Sequence, residues 1–258
     1  MNILFLGDVV AKSGRQIVLE KLPHLKEQYE VDFTIVNAEN SAHGKGITKK
    51  IYQSFMDAGV DVITLGNHAF SKGEIKEVME DCPNMVRPMN LEPKEIGKPY
   101  CIKEVCGKKL AIVNLLGEVF MDCASGSPIE AMRALLEEID ADCILVDFHA
   151  ETTSEKEIFL HVFHQDICAL IGTHTHVQTA DERVFNGCAY ISDVGMCGVY
   201  DSILGRSVEE VLRRNVGHEV THFTPAEGPS ILCGCLIQID EKTGRATNIF
   251  RIQERPEI

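Results

Sequence analysis

Positive charge is scarce in this chain. Lys and Arg total 25 against 39 Asp and Glu, a formal net charge of −14 with a pI near 5.1. Long nucleic acids are bound through basic stripes, so a broad polyanion-binding surface is not expected. A small anionic substrate stays open, because cations held in a cleft reverse the local sign. Long apolar runs are missing as well: none nears the roughly 18 residues of a membrane span, so no membrane partner is expected. The N-terminus has no basic stretch and is apolar for only four residues before Gly7. It reads as a first strand rather than a leader. None of the ten cysteines forms a C-x-x-C pair, and Cys143, Cys168, Cys233 and Cys235 lie in apolar runs. They read as reduced, buried small hydrophobes of a cytoplasmic protein, not a disulfide framework. No repeat, low-complexity tract or linker interrupts the 258 residues, so one domain over 1–258 is expected.

What is present is alternation. Apolar runs at Ile3–Leu6, Val31–Val36 and Val60–Leu65 predict strands, interleaved with helical spacing over Ile17–Tyr29, Thr48–Ala58 and Glu74–Asp81. The middle shifts to short strands, Val86–Asn90 and a Tyr100–Val105/Lys109–Leu115 hairpin. Helices over Ile129–Ile139 and Lys156–His164 then flank strands at Cys143–Phe148 and Ile167–Ile171. The tail returns to β at Arg183–Phe185, Cys188–Ser192, Ile231–Ile239 and Thr247–Ile252, with one helix near Val208–Asn215. This predicts an α/β fold with two sheets and helices outside.

Five strand ends carry polar groups: Asp8; Glu39 and Asn40; Asn67 and His68; His149; His174 and His176. Ligands of open α/β sheets bind outside the carboxyl ends of strands, so these positions converge by topology. His174 and His176 follow an apolar run, and in extended backbone residues two apart point the same way, aiming both imidazoles at one point. Two carboxylates, two amides and four histidines, with no thiolate, suit Fe, Mn, Zn or Ni. Eight groups exceed the needs of one open ion and fit two ions about 3.5–4 Å apart bridged by a carboxylate, the arrangement that clamps phosphoryl oxygens in an in-line displacement. From the residues alone, the reading is metal-dependent phosphoester hydrolysis.

Gly7-Asp8, Gly66-Asn67-His68, His149 and Gly172-Thr173-His174-Thr175-His176, in this order, resemble the motifs of calcineurin-like metallophosphoesterases. The whole chain is similar to the YmdB-type bacterial 2′,3′-cyclic-nucleotide phosphodiesterases. That likeness includes Asp8-Val9-Val10, Asn37-Ala38-Glu39-Asn40, Gly44-Lys45-Gly46-Ile47-Thr48, Asp193-Val194-Gly195-Met196 and Ala226-Glu227-Gly228-Pro229. Val10 stands where the wider superfamily has a ligand histidine, and Asn37-Ala38-Glu39-Asn40 replaces its usual Gly-Asp motif. The resemblance implies a four-layer sandwich of two mixed sheets flanked by helices. It implies one ion on Asp8, Glu39, Asn40 and His176 and a second on Glu39, Asn67, His149 and His174, with Asp8 bridging left open. Fe or Mn leads as the metal, with Zn or Mg next. His68 is implied as general acid, although Ala69 replaces the acidic residue that often follows it, leaving its orienting partner unidentified.

The expected activity is hydrolysis of 2′,3′-cyclic nucleotides, with 3′,5′-cyclic nucleotides as further substrates, in a homo-oligomeric protein. A phosphomonoesterase or nuclease on the same site, or a metal-bound regulatory protein, are the alternatives. His43 reads as a solvated loop residue near Glu39, and Lys12 and Arg15 as a helix start or phosphate contacts. Residues 193–205, with Gly195, Gly198 and Gly205, read as a long loop lining the cleft or an oligomer contact.

Overall fold

The computed structural model describes residues 1–256. Its first sheet has eight strands, in the order Asp8–Val9, Met196–Val199, Ser230–Asp240, Asn2–Leu6, Phe33–Asn37, Val62–Thr64, Met85–Val86, with Arg245–Glu254 also pairing on Ser230–Asp240. The second has six, in the order Arg183–Phe185, Cys188–Ile191, Ala169–Thr173, Cys143–His149, Lys108–Leu116, Tyr100–Val105. Both are mixed. The run from Asn2–Leu6 to Met85–Val86 is parallel, as is the run from Lys108–Leu116 through Ala169–Thr173 to Cys188–Ile191.

Side-chain alternation along these strands feeds three apolar clusters. Ile3, Phe5, Ile35 and Val62 meet Ile112, Leu145, Ile171 and Ile191 from the other sheet. The opposite faces, Leu4, Leu6, Val36 and Ile63, meet Val18, Leu22, Phe55 and Ile75 of the helices Ala11–Gln28, Lys49–Asp57 and Gly73–Val78. On the second sheet Val113, Val146 and Leu170 meet Met132, Leu135, Phe159 and Phe163 of Pro128–Leu136 and Thr153–Phe163.

Three differences from the sequence reading have identifiable causes. The first helix begins at Ala11, not Ile17. Its first turn packs through small residues: a Cβ on Gly14 would lie 2.1 Å from the Cys197 carbonyl oxygen, so close approach replaces hydrophobic spacing. The strand expected over Val86–Asn90 stops at Val86. Pro88 has no N–H for a ladder, and the buried Arg87 guanidinium instead donates to the carbonyls of Pro88, Met89 and Ile96. Within the expected loop 193–205, Met196–Val199 forms a strand, parallel to Asp8–Val9 and antiparallel to Ser230–Asp240. It brings that segment beside the first strand end.

A buried ion pair ties the helix Thr153–Phe163 to the segment that follows Cys188–Ile191. Lys156 Nζ donates to Asp193 Oδ2 (3.1 Å) and to the Thr173 carbonyl (3.1 Å). Asp193 also accepts the N–H groups of Thr175 (3.0 Å) and Gly195 (2.9 Å). Removing one partner leaves the other charge buried and unmatched, so Lys156→Met is expected to lower the unfolding free energy by about 3–5 kcal/mol. In a double-mutant cycle with Asp193→Asn in urea, a coupling energy of roughly 1–3 kcal/mol is expected. Additive losses would refute the pairing.

Candidate metal and phosphoester site

The strand-end groups gather in two sets that meet at Glu39; Glu39, Asn40, His68, His174 and His176 line one cleft, with Asp8 and His149 buried behind it. In the first set, His149 Nε2 lies 3.1 Å from Glu39 Oε1, 3.0 Å from Asn67 Oδ1 and 3.0 Å from His174 Nδ1. In the second, Asn40 Nδ2 donates to Glu39 Oε1 (3.0 Å) and lies 3.1 Å from His176 Nε2, which is 3.9 Å from Asp8 Oδ1. Glu39, His149 and His174 offer ligand atoms all within 4.8 Å of one another, a group able to hold a metal ion.

The two histidines of His174-Thr175-His176 do not converge as extended backbone would make them. The strand ends at Thr173, and both take positive φ, 102° and 66°. Left-handed backbone on a non-glycine residue is strained and persists only where its surroundings impose it. Here the Asp8 carboxylate accepts the His174 N–H (3.1 Å), and Asp193 holds the N–H of Thr175. The result sends His174 to one set and His176 to the other.

The hydrogen bonds behind the rings set their tautomers. Thr173 Oγ1 donates to Asp147 Oδ1 (2.6 Å), so it accepts from His149 Nδ1–H (2.9 Å). His176 Nδ1–H donates to the Leu204 carbonyl (3.1 Å). Each ring, once neutral, therefore turns an Nε2 lone pair toward the carboxylates. At His149 Nε2 the Glu39 and Asn67 oxygens share one position that either a ring proton or a cation can fill. Asp8 Oδ1, buried, has no hydrogen-bond partner among the described residues. Such crowding of acceptors is what a bound cation satisfies, so the residues present fit a metal.

Electrostatics agrees. Burial alone would lower His149, but Glu39, then Asp8 and Asp147, raise it to about 9. Burial would raise Glu39, yet the His149 ring and then His68 hold it down near 2. Burial, followed by the neighbouring His149, pushes His174 down to about 3, and burial raises Asp8 against the pull of His176 and His149. His149 thus takes the positive charge beside Glu39, and that charge together with burial keeps His174 neutral.

His68 sits on the wall of a cleft of about 360 Å³ that also exposes Glu39, Lys45, His174, His176 and Phe223. Its N–H donates to Glu39 Oε2 (2.9 Å). Burial lowers its ring and Glu39 opposes that shift. Val10 lines the same cleft in an apolar role. His43 is exposed, Lys12 is exposed, and Arg15 donates to the Ser41 carbonyl behind the Glu39 loop. The sequence reading missed Asp147, Thr173 and Lys156, which stand behind the site. It also missed Glu151, whose Oε2 lies 3.0 Å from His174 Nε2. Asp147 inside the apolar run Cys143–Phe148 was the signal available, since a carboxylate there must serve a buried partner.

Comparison with known proteins places this geometry in a lineage. The chain is 45% identical over 254 residues to a 2′,3′-cyclic-nucleotide 2′-phosphodiesterase of Bacillus subtilis (strain 168), covering 98% of this chain and 96% of that protein. It superposes on the crystal structure of a Mycoplasma pneumoniae phosphatase with a TM-score of 0.94 at 37% identity, covering 99% of this chain and 93% of that one. A Thermus thermophilus protein matches with a TM-score of 0.93 at 38% identity over 100% of both chains. With its residues 4–252 matched by the model described as YmdB-like protein, the chain belongs to the YmdB-like family.

Proposed function

We propose that the protein is a metal-dependent phosphodiesterase that hydrolyses 2′,3′-cyclic nucleotides, opening the ring at the 2′ oxygen to leave a 3′-nucleotide. The observation that carries it is the meeting of two oxygen-and-imidazole sets at one buried carboxylate, Glu39, in a chain 45% identical to a 2′,3′-cyclic-nucleotide 2′-phosphodiesterase. One ion would rest on Asp8, Glu39, Asn40 and His176, and a second on Glu39, Asn67, His149 and His174. Fe or Mn leads, with Zn or Mg next. Bound there, such ions polarise phosphoryl oxygens and make water a nucleophile at neutral pH.

The chain's own residues do the rest. Asp147 through Thr173, and Leu204, keep the His149 and His176 lone pairs aimed inward. Gly66 lets the donors close up: a Cβ there would lie 2.3 Å from Glu39 Oε2 and 2.4 Å from His149 Nε2. His68, at the cleft wall, holds a proton for the 2′ oxygen as its bond to phosphorus breaks. A phosphate anion beside its ring pulls its pKa in the same direction as Glu39, so substrate itself favours the protonated acid.

The reading extends to the whole molecule. The three apolar clusters support the four-layer arrangement, helices–sheet–sheet–helices, in one domain over 1–258. Reduced cysteines fit a cytoplasmic protein, and a homo-oligomer completes the proposal. No described helix is long and apolar enough to cross a membrane.

Three variants test it. Glu39→Gln is expected to fold, to lose bound metal by elemental analysis and to lose at least about 100-fold in kcat/KM on 2′,3′-cyclic AMP. His68→Ala is expected to keep its metal but to lose roughly 10²–10⁴ in kcat. Full activity in both would sink the assignment. Gly66→Ala is expected to lower the metal-to-chain ratio without replacing a ligand; an unchanged ratio would show that the donors do not need the close approach. A panel of cyclic nucleotide, nucleoside monophosphate and single-stranded RNA separates this activity from a phosphomonoesterase or a nuclease.

A further inference from the structure

The strand-end side of the cleft is filled by carboxylates, amides and imidazoles. The opposite side is different. Among the described residues that line it, Phe223 alone carries a six-membered aromatic ring. The ring is half-buried and held from two directions. The Arg206 guanidinium carbon lies over it, 4.9 Å from its centroid. Arg206 is itself locked by Glu210, with Nη2 2.8 Å from both carboxylate oxygens and Nε 3.2 Å from Oε2. Glu210 also accepts from Thr221 Oγ1 (2.6 Å), two residues before the phenyl ring. The ring also lies against backbone: Gly44 has φ +83°, and a Cβ built on it would sit 2.2 Å from Phe223 Cε1. Gly44 belongs to the loop that leaves Glu39 and Asn40. One aromatic plane is thereby fixed relative to the donors of the site.

A cyclic nucleotide has two dissimilar ends. With its phosphate at Glu39, His174 and His176, its base must occupy another part of the same cleft of about 360 Å³. A flat base gains from a flat apolar ring, and the gain needs no particular hydrogen-bond pattern. An arginine already paired with a carboxylate stiffens such a platform while carrying little free charge. Resting on the phosphodiesterase reading above, the geometry points to Phe223 as the residue on which the nucleobase stacks. Arg206 and Gly44 act through it as positioning residues. The subsite tolerates purines and pyrimidines alike, because every base has a π face.

The chain has no tryptophan, so F223W carries a single indole reporter at this position. Adenosine, which has no phosphate, is expected to quench F223W fluorescence saturably. In kinetics, F223A is expected to raise KM for 2′,3′-cyclic AMP by about 5–100-fold with kcat unchanged, in line with the usual worth of one stacked base. F223W is expected to restore it. Glycerol 1,2-cyclic phosphate, a five-membered cyclic diester without a base, is expected to be turned over equally by wild type and F223A. A circular-dichroism melt checks that F223A folds. Equal losses on both diesters, an unchanged KM in F223A, or no quenching would each overturn the assignment. Quenching by adenosine in a protein that hydrolyses neither diester would instead leave the stacking subsite standing and remove the proposed reaction.

Discussion

Asp8 and Glu39 are both almost fully buried, at the ends of two neighbouring parallel strands. Taking a carboxylate out of water carries a penalty of several kcal/mol unless charge or hydrogen bonds answer it. Among the described residues no lysine or arginine does so: the groups that reach these oxygens are imidazoles, the Asn40 amide and two backbone N–H groups, those of His68 and His174. This partial answer leaves Asp8 Oδ1 without a partner and draws His149 up to about 9. The local fold is arranged to tolerate the deficit, and a bound cation removes it.

That arrangement has a supporting shell, and the shell explains features with no chemistry of their own. Asp147 and Thr173 lie within strands of the second sheet and fix the His149 ring from behind. Lys156 and Asp193 bind the helix that follows His149 to the turn that carries Thr175. Strain at His174 and His176 is sustained because three hydrogen bonds, from Asp8, Asp193 and Leu204, over-determine that turn. Glycine appears where backbone passes backbone: a Cβ on Gly7 would lie 1.9 Å from the Gly195 carbonyl oxygen, and one on Gly172 1.9 Å from that of Ser192. Segment 192–195 thereby touches a strand end of each sheet.

Much of this was legible before any coordinates. The alternation of apolar runs named the strands that carry the donors, and topology alone put Asp8, Glu39, Asn67, His149 and His174 on one side of the sheets. What could not be read has physical reasons. Helix initiation at Ala11 rests on small residues that give no hydrophobic period, and Met196–Val199 is a strand only because Asp8–Val9 and Ser230–Asp240 lie beside it. His174 and His176 reach the donors through left-handed backbone rather than the expected extended one, which would have sent both rings to one point. Phe223 is outside every motif, three residues before Ala226-Glu227-Gly228-Pro229, and its contacts with Gly44 and Arg206 hold it at the cleft.

Charge then distinguishes a small substrate from a long one. With a net −14, the surface as a whole repels a polyphosphate chain. On the proposed reading, the pocket takes anions through cations that Glu39 and its neighbours would hold. A single phosphodiester reaches those cations with one negative charge. A long strand would bring many more phosphates over acidic ground, where each is opposed within a Debye length of about 8 Å at physiological salt. Arg206 does not relieve this, because Glu210 already neutralises it. Lys45, the remaining cation at the rim, offers one free charge, enough to guide one phosphate and too few to track a backbone. On that reading, selection for small anions comes from confining attraction to the place where the carboxylates Asp8 and Glu39 are buried.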